Sequence, residues 1–161
     1  MAEIKHLLEA NAYYAHARAS VDDAEPSGHI AVVTCMDARI DTFAVLGLHL
    51  GEAHVIRNAG GRVTPDVLRS LALSVNVLGV RIIVVMQHTC CGLASVSDDE
   101  LRAATGADLP FFPIDDHHAA LREDCTTIRN ADYLSRADVV AGFIYDVNTG
   151  VITESSRWER S

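Results

Sequence analysis

Unbroken runs of Val, Ile and Ala alternate along this chain with stretches whose apolar residues recur every three or four positions, and that alternation sets its outline. The runs fall at residues 29–36, 53–59, 81–86 and 138–147. Strands covered on both faces read this way, so four parallel strands are expected. Ile4, Leu7, Leu8, Ala12 and Ala15 share one face of an opening helix, which Pro26-Ser27-Gly28 interrupts. Between the second and third runs, Thr64 as N-cap and Pro65 in the first turn open a helix with Val67, Leu68, Leu71, Val75 and Leu78 on one face, and Gly79 marks its exit. Ser97-Asp98-Asp99-Glu100 reads as a capping box for a short helix ending at Gly106. A longer helix follows Pro113 with Leu121, Cys125, Ile128 and Ala131 turned inward, which makes Cys125 a core residue. Asn148-Thr149-Gly150 reads as a hairpin turn, and residues 151–154 then return antiparallel at a sheet edge.

Strands alternating with helices imply right-handed crossovers and an α/β fold. The expected architecture is a single layered domain over residues 1–161, with residues 1–25 as an N-terminal helical arm. Its mostly parallel sheet, in the order 2-1-3-4 plus an antiparallel edge strand, is flanked by helices. The arm can pack on its own domain or on a partner subunit, and the sequence does not choose. In such sheets ligands sit beyond the carboxyl ends of the strands where the winding reverses, here between strands one and three.

Composition narrows the function classes. With 161 residues, 49% hydrophobic and 22% charged, the chain is globular rather than disordered. A net charge of −9 argues against nucleic acid or anionic membrane as a partner. Polar residues where a signal peptide would need an apolar core, and the interruption of the apolar tracts at Asn76 and Arg81, lead to the expectation of a soluble, cytoplasmic protein. Of the four cysteines, Cys90 and Cys91 are adjacent, a poor disulfide framework but a frequent arrangement in metal binding or thiol chemistry.

The candidate chemistry sits at two strand ends. Cys35, Asp37 and Arg39 alternate as the first run closes, so in an extended segment all three leave one face. A thiolate suits Zn²⁺, a carboxylate beside it orients water, and a guanidinium holds that carboxylate by a two-pronged ion pair. At the end of the third run stands His88-Thr89-Cys90-Cys91-Gly92. The topology brings both clusters to one crevice, giving three N/S ligands and an open fourth position, the catalytic zinc pattern. If the chain stays extended past His88, Cys90 shares its face; if it turns helical, Cys91 does. Asn58-Ala59-Gly60-Gly61 lacks the spacing of a phosphate loop and reads as a tight turn beside the crevice, with backbone amides available to an anion such as bicarbonate. His6, His16, His29, His49, His54, His117 and His118 read as surface or core residues rather than ligands.

Cys35-x-Asp37-x-Arg39, Arg57-Asn58-Ala59-Gly60-Gly61 and His88-x-x-Cys91-Gly92, in that order, resemble the signature of the β-class carbonic anhydrases over residues 29–152. The compact C-terminal half is similar to that of the short bacterial and archaeal members. The resemblance implies Zn²⁺ on Cys35, His88 and Cys91, with Asp37 and Arg39 as a dyad beside it; Asn58, Ala59 and Gly60 are the expected substrate- or anion-binding residues through the backbone amides of their turn. It implies reversible hydration of CO₂ to bicarbonate by a hydroxide carried on the zinc. It also implies a homodimer or higher homo-oligomer, across which the arm would reach. Two thiolates leave the ion little net charge, so activity is expected to favour neutral to alkaline pH. Cys90 departs from the pattern, since relatives usually carry Asp or Gly there. Two alternatives stand beside this expectation: hydrolysis of CS₂ or COS at the same zinc, and a metal-binding or thiol-sensing module without turnover.

Overall fold

The computed structural model of the protein describes residues 4–18, 20 and 23–160; the remainder of the expected arm, at 1–3, 19, 21 and 22, lies outside the described residues. The chain runs through α1 (Ile4–Ala17), β1 (Ile30–Cys35), α2 (Thr42–Leu46), β2 (Ala53–Asn58), α3 (Pro65–Asn76), β3 (Ile82–His88), α4 (Asp98–Thr105), α5 (His117–Asn130), β4 (Val139–Tyr145) and β5 (Ile152–Glu159). The strands form one sheet in the expected order, β2-β1-β3-β4-β5. All pairings are parallel except that of β4 with β5. β5 runs to Glu159, well past the expected stop at 154, and its register against β4 shifts between Gly142 and Phe143.

The unbroken Val/Ile runs are explained by burial on both sides. Ala31, Val33, Ile83 and Val85 face Leu71 of α3 and Leu121 and Ile128 of α5. Val32, Val84 and Met86 point the other way, against Ile40, Leu93 and Ile114. Cys125 is buried in the first of these cores, as expected, and burial pushes its thiol up to about 11.

Local punctuation fixes most helix ends. The Thr64 hydroxyl accepts from the Val67 amide with Pro65 in the first turn, and Ser97 with Glu100 completes the capping box of α4. Two helix boundaries and one whole helix differ from expectation. α3 stops at Asn76, short of Gly79. α5 begins at His117, where the Asp116 carboxylate accepts from the Ala119 amide at 2.7 Å, rather than directly after Pro113. α2, unforeseen in the sequence, is capped by Asp41 and closed by Gly47 at φ 64°; five residues are too few to display a helical period.

No residue of α1 is buried, and Ile4, Leu7, Leu8, Tyr13 and Tyr14 all stand exposed. Among the described residues no helix is long and apolar enough to cross a membrane.

Candidate metal centre

Cys35 closes β1 and His88 closes β3, neighbouring parallel strands, so both ligands emerge at the carboxyl edge of the sheet. The chain does not stay extended beyond either. After β1 it turns: the Asp37 carboxylate accepts from the Arg39 amide at 2.9 Å and the Asp37 carbonyl from the Ile40 amide at 3.1 Å. Asp37 and Arg39 are therefore brought together by a turn, not by strand alternation as the spacing suggested. Arg57 of β2 fixes this turn from below, its Nε donating to the Cys35 carbonyl at 2.9 Å and its Nη2 to that of Asp37 at 2.6 Å.

After β3, Cys90 adopts φ 55°, a left-handed conformation uncommon for a residue with a side chain. The reversal leaves Cys90 exposed and buries Cys91, and of the two it is Cys91 that lies with Cys35 and His88. Cys35 Sγ lies 4.0 Å from Cys91 Sγ. The ligand atoms of Cys35, His88 and Cys91 all fall within 4.8 Å of one another, and all three residues are buried. Two sulfurs each ~2.3 Å from a tetrahedral zinc would be about 3.8 Å apart, so the spacing fits that ion.

The histidine offers the strongest test of fit. His88 Nδ1 donates to the Thr89 carbonyl at 3.0 Å, which leaves Nε2 as the nitrogen with a free lone pair. That Nε2 is buried with no hydrogen-bond partner among the described residues. A buried polar atom left unsatisfied is costly, and a cation held with the two sulfurs would satisfy it. Burial also pushes the His88 pKa down and the Cys91 pKa up, the first favouring the neutral imidazole a metal requires.

Beside the ligands, Arg39 grips Asp37 with Nε to Oδ1 at 2.9 Å and Nη2 to Oδ2 at 2.7 Å, and Nη2 also donates to the Cys90 carbonyl at 3.0 Å. These hydrogen bonds hold the Asp37 carboxyl well below the usual carboxylate range. A cavity of about 400 Å³ opens over Cys35, Asp37 and Cys91, with apolar walls that include Leu93, Val96, Leu101 and Phe111.

The 58–61 turn borders the same cavity through Ala59 and Gly60. Gly61 sits at φ 64° directly under the ends of β1 and β3, where an added Cβ would come within 2.9 Å of the Cys35 nitrogen. Asn58 faces inward: its Oδ1 accepts from the Arg62 amide at 3.0 Å and its Nδ2 donates to the Arg62 carbonyl at 2.8 Å. The side chain of Asn58 thus braces the turn. Of the other histidines, His54 bonds Ser74 and the Ala24 carbonyl, His117 bonds Gln87, and His118 bonds Ser155. Among the described residues none of them joins a metal-ligand group.

Sequence reasoning missed Arg62 and Asp124, a buried ion pair at 2.8 Å whose members stand far apart in the chain. A charged residue directly after the glycine pair was the one signal available, and it had no visible partner.

Comparison with known proteins agrees with this geometry. The family model described as carbonic anhydrase matches residues 30–137. Beta-carbonic anhydrase 1 of Mycobacterium tuberculosis (strain ATCC 25618 / H37Rv) is 42% identical over 135 residues, covering 80% of this chain and 83% of the relative. A carbon disulfide hydrolase of Acidithiobacillus thiooxidans is 32% identical over 145 residues, covering 74% of this chain and 73% of its own. The crystal structure of carbonic anhydrase from Streptococcus mutans superposes with a TM-score of 0.87 at 36% identity, covering 97% of this chain and 99% of that one. With the strand order, the Cys-His-Cys group and these likenesses in agreement, the chain belongs to the β-class of the carbonic anhydrase family, whose cofactor is zinc.

Proposed function

We propose that the chain interconverts CO₂ with bicarbonate and a proton at the centre formed by Cys35, His88 and Cys91. The observation that carries this most directly is the Arg39-held carboxylate of Asp37, whose Oδ2 lies 3.7 Å from His88 Nε2. A structural or storage site has no use for such a dyad. Zinc, when bound, supplies the positive charge that makes water a nucleophile near neutral pH.

The chain's own residues do the rest. Asp37, ionised throughout the working range, only accepts hydrogen bonds, so it takes one from the attacking water and aims the opposite lone pair into the cavity. Arg39 keeps the carboxylate turned to this task and ties it to the Cys90 carbonyl. Leu93, Val96, Leu101 and Phe111 give a nonpolar linear substrate an apolar wall to rest on. Bicarbonate then lies against Ala59 and Gly60, with Asn58 bracing the turn that carries them.

The same apolar cavity suits CS₂ or COS, and a carbon disulfide hydrolase is among the relatives, so these are the competing substrates. The exposed apolar residues of α1 support a homodimer or higher homo-oligomer in which this helix of the N-terminal arm lies on a second copy. Four unpaired cysteines, two of them in the metal group, support a reducing, cytoplasmic setting. Stopped-flow rates of the reduced, zinc-loaded protein on CO₂, COS and CS₂ test the assignment. CO₂ is expected to be the preferred substrate, and stoichiometric zinc without CO₂ hydration would refute it.

A further inference from the structure

Arg62 follows the glycine pair, and its side chain is only 6% exposed. Its donors are spent in three directions. Nε donates to Asp124 Oδ2 at 2.8 Å, Nη2 to Glu123 Oε2 at 2.8 Å, and Nη1 to the carbonyls of Phe112 and Pro113, each at 3.1 Å. Phe112 has φ 57°, a region that residues with a side chain seldom enter. Such an outlier persists where its surroundings hold it, and here one guanidinium takes the two successive carbonyls of Phe112 and Pro113.

The segment so held matters to the cavity. Phe111 forms part of its apolar wall, and its amide donates to Asp98 Oδ1 at 3.1 Å. Ile114 is buried, and its Cδ1 lies 3.1 Å from where a Cβ on Gly60 would stand. The other end of the clamp is firm. Asn58 bonds both main-chain groups of Arg62, while Asp124 also accepts from the Val63 amide at 3.2 Å and from Gln87, the neighbour of His88, at 3.3 Å.

We propose that Arg62 is a specificity-determining positioning residue. By tying the Phe112 and Pro113 carbonyls to the 58–61 turn, it fixes the Phe111 wall and with it the width of the cavity offered to a small, linear, apolar substrate. This rests on the reading of the cavity as the CO₂ site. Arg62 does not touch the reacting atoms, so loosening the clamp changes how substrate is held and leaves the bond-forming step at Asp37 alone. A wider cavity grips CO₂ less and admits the larger CS₂ more readily.

The test uses zinc-loaded Arg62→Lys, in which the ammonium still faces Asp124 but lacks the planar fork that reaches both carbonyls. If that variant does not fold, Arg62→Met with Asp124→Met removes both buried charges together and takes its place. KM for CO₂ is expected to rise roughly tenfold with kcat nearly unchanged, the pattern of lost binding shared by ground and transition states. The ratio of CS₂ to CO₂ turnover should increase, and amide exchange at Phe111 and Ile114 should quicken while zinc content stays at the wild-type level. In a Phe111→Ala background the same Arg62 change should add less than about twofold, because the two act through one wall. Wild-type KM and substrate ratio in the variant, an equal loss in kcat and kcat/KM, or additivity with Phe111→Ala would overturn the proposal. If the wild-type protein hydrates no CO₂, the assignment of function fails instead, and unchanged amide exchange at Phe111, Phe112 and Ile114 in the variant would overturn the clamp independently.

Discussion

Asp37 Oδ2 lies 3.7 Å from His88 Nε2, too far for a direct hydrogen bond and close enough for both to border one small volume. The nitrogen has no other partner among the described residues, and the carboxylate is turned by two bonds from Arg39. Replacing Asp37 by Asn keeps the shape but puts a donor where only an acceptor serves. Asp37→Asn should retain zinc and lose about a hundredfold in kcat for CO₂ hydration, within the range for a positioned proton-accepting group. Full turnover in this variant would remove Asp37 from the mechanism.

The reversal at Cys90 places Cys91, of the two adjacent thiols, beside Cys35 and His88. Cys90→Ser should keep one zinc per chain, since Cys90 is exposed and outside the ligand group. Cys91→Ser should lose the metal together with activity. Zinc analysis after gel filtration of the two variants distinguishes them.

Zinc uptake should also depend on pH, with a definite sign. Burial pushes the Cys91 thiol above its ordinary value and the His88 imidazole below its own. At pH 7 without metal, Cys91 therefore holds a proton that must leave for the sulfur to bind, whereas His88 already has none to lose. Affinity should rise with pH, on the order of tenfold per unit for each proton displaced, up to the raised thiol pKa. Competition titrations against a chelator at pH 6, 7 and 8 measure this, and a flat profile would mean that Cys91 is not a ligand.

At Gly61 the backbone itself blocks a side chain. It has φ 64°, and a Cβ there would lie 2.9 Å from both the Cys35 nitrogen and the Thr34 carbonyl carbon. Gly61→Ala should cost at least about 2 kcal/mol by strain and displacement of β1. Because the displaced residue, Cys35, belongs to the Cys-His-Cys group, zinc affinity should fall with stability. Thermal unfolding with and without zinc would show both effects.

Much of this arrangement was legible in the sequence, and the reasons are physical. Parallel strands buried on both faces leave unbroken Val/Ile runs, and Thr64, Ser97 and Glu100 mark helix starts because their side chains bond the first free amides. The crevice could be foreseen because strand order alone brings Cys35 and His88 to adjacent strand ends. Spacing did not separate Cys90 from Cys91, which only the resemblance did, since the choice turns on one positive φ that no residue type demands. Arg62 and Asp124 were equally hidden: each is usually a surface residue, and their pairing exists only once α5 lies beside the glycine turn. Asn58, expected beside an anion through the backbone amides of its turn, spends its side-chain amide on Arg62, which spacing gave no means to foresee.

Zinc K-edge absorption of the reduced, zinc-loaded protein probes the arrangement of the three ligands without passing through activity. Two sulfurs at about 2.3 Å and two lighter atoms at about 2.0–2.1 Å are expected, one being the His88 nitrogen and the other an oxygen in the fourth place. A shell of three or four sulfurs, or a protein that takes up no zinc, would overturn it.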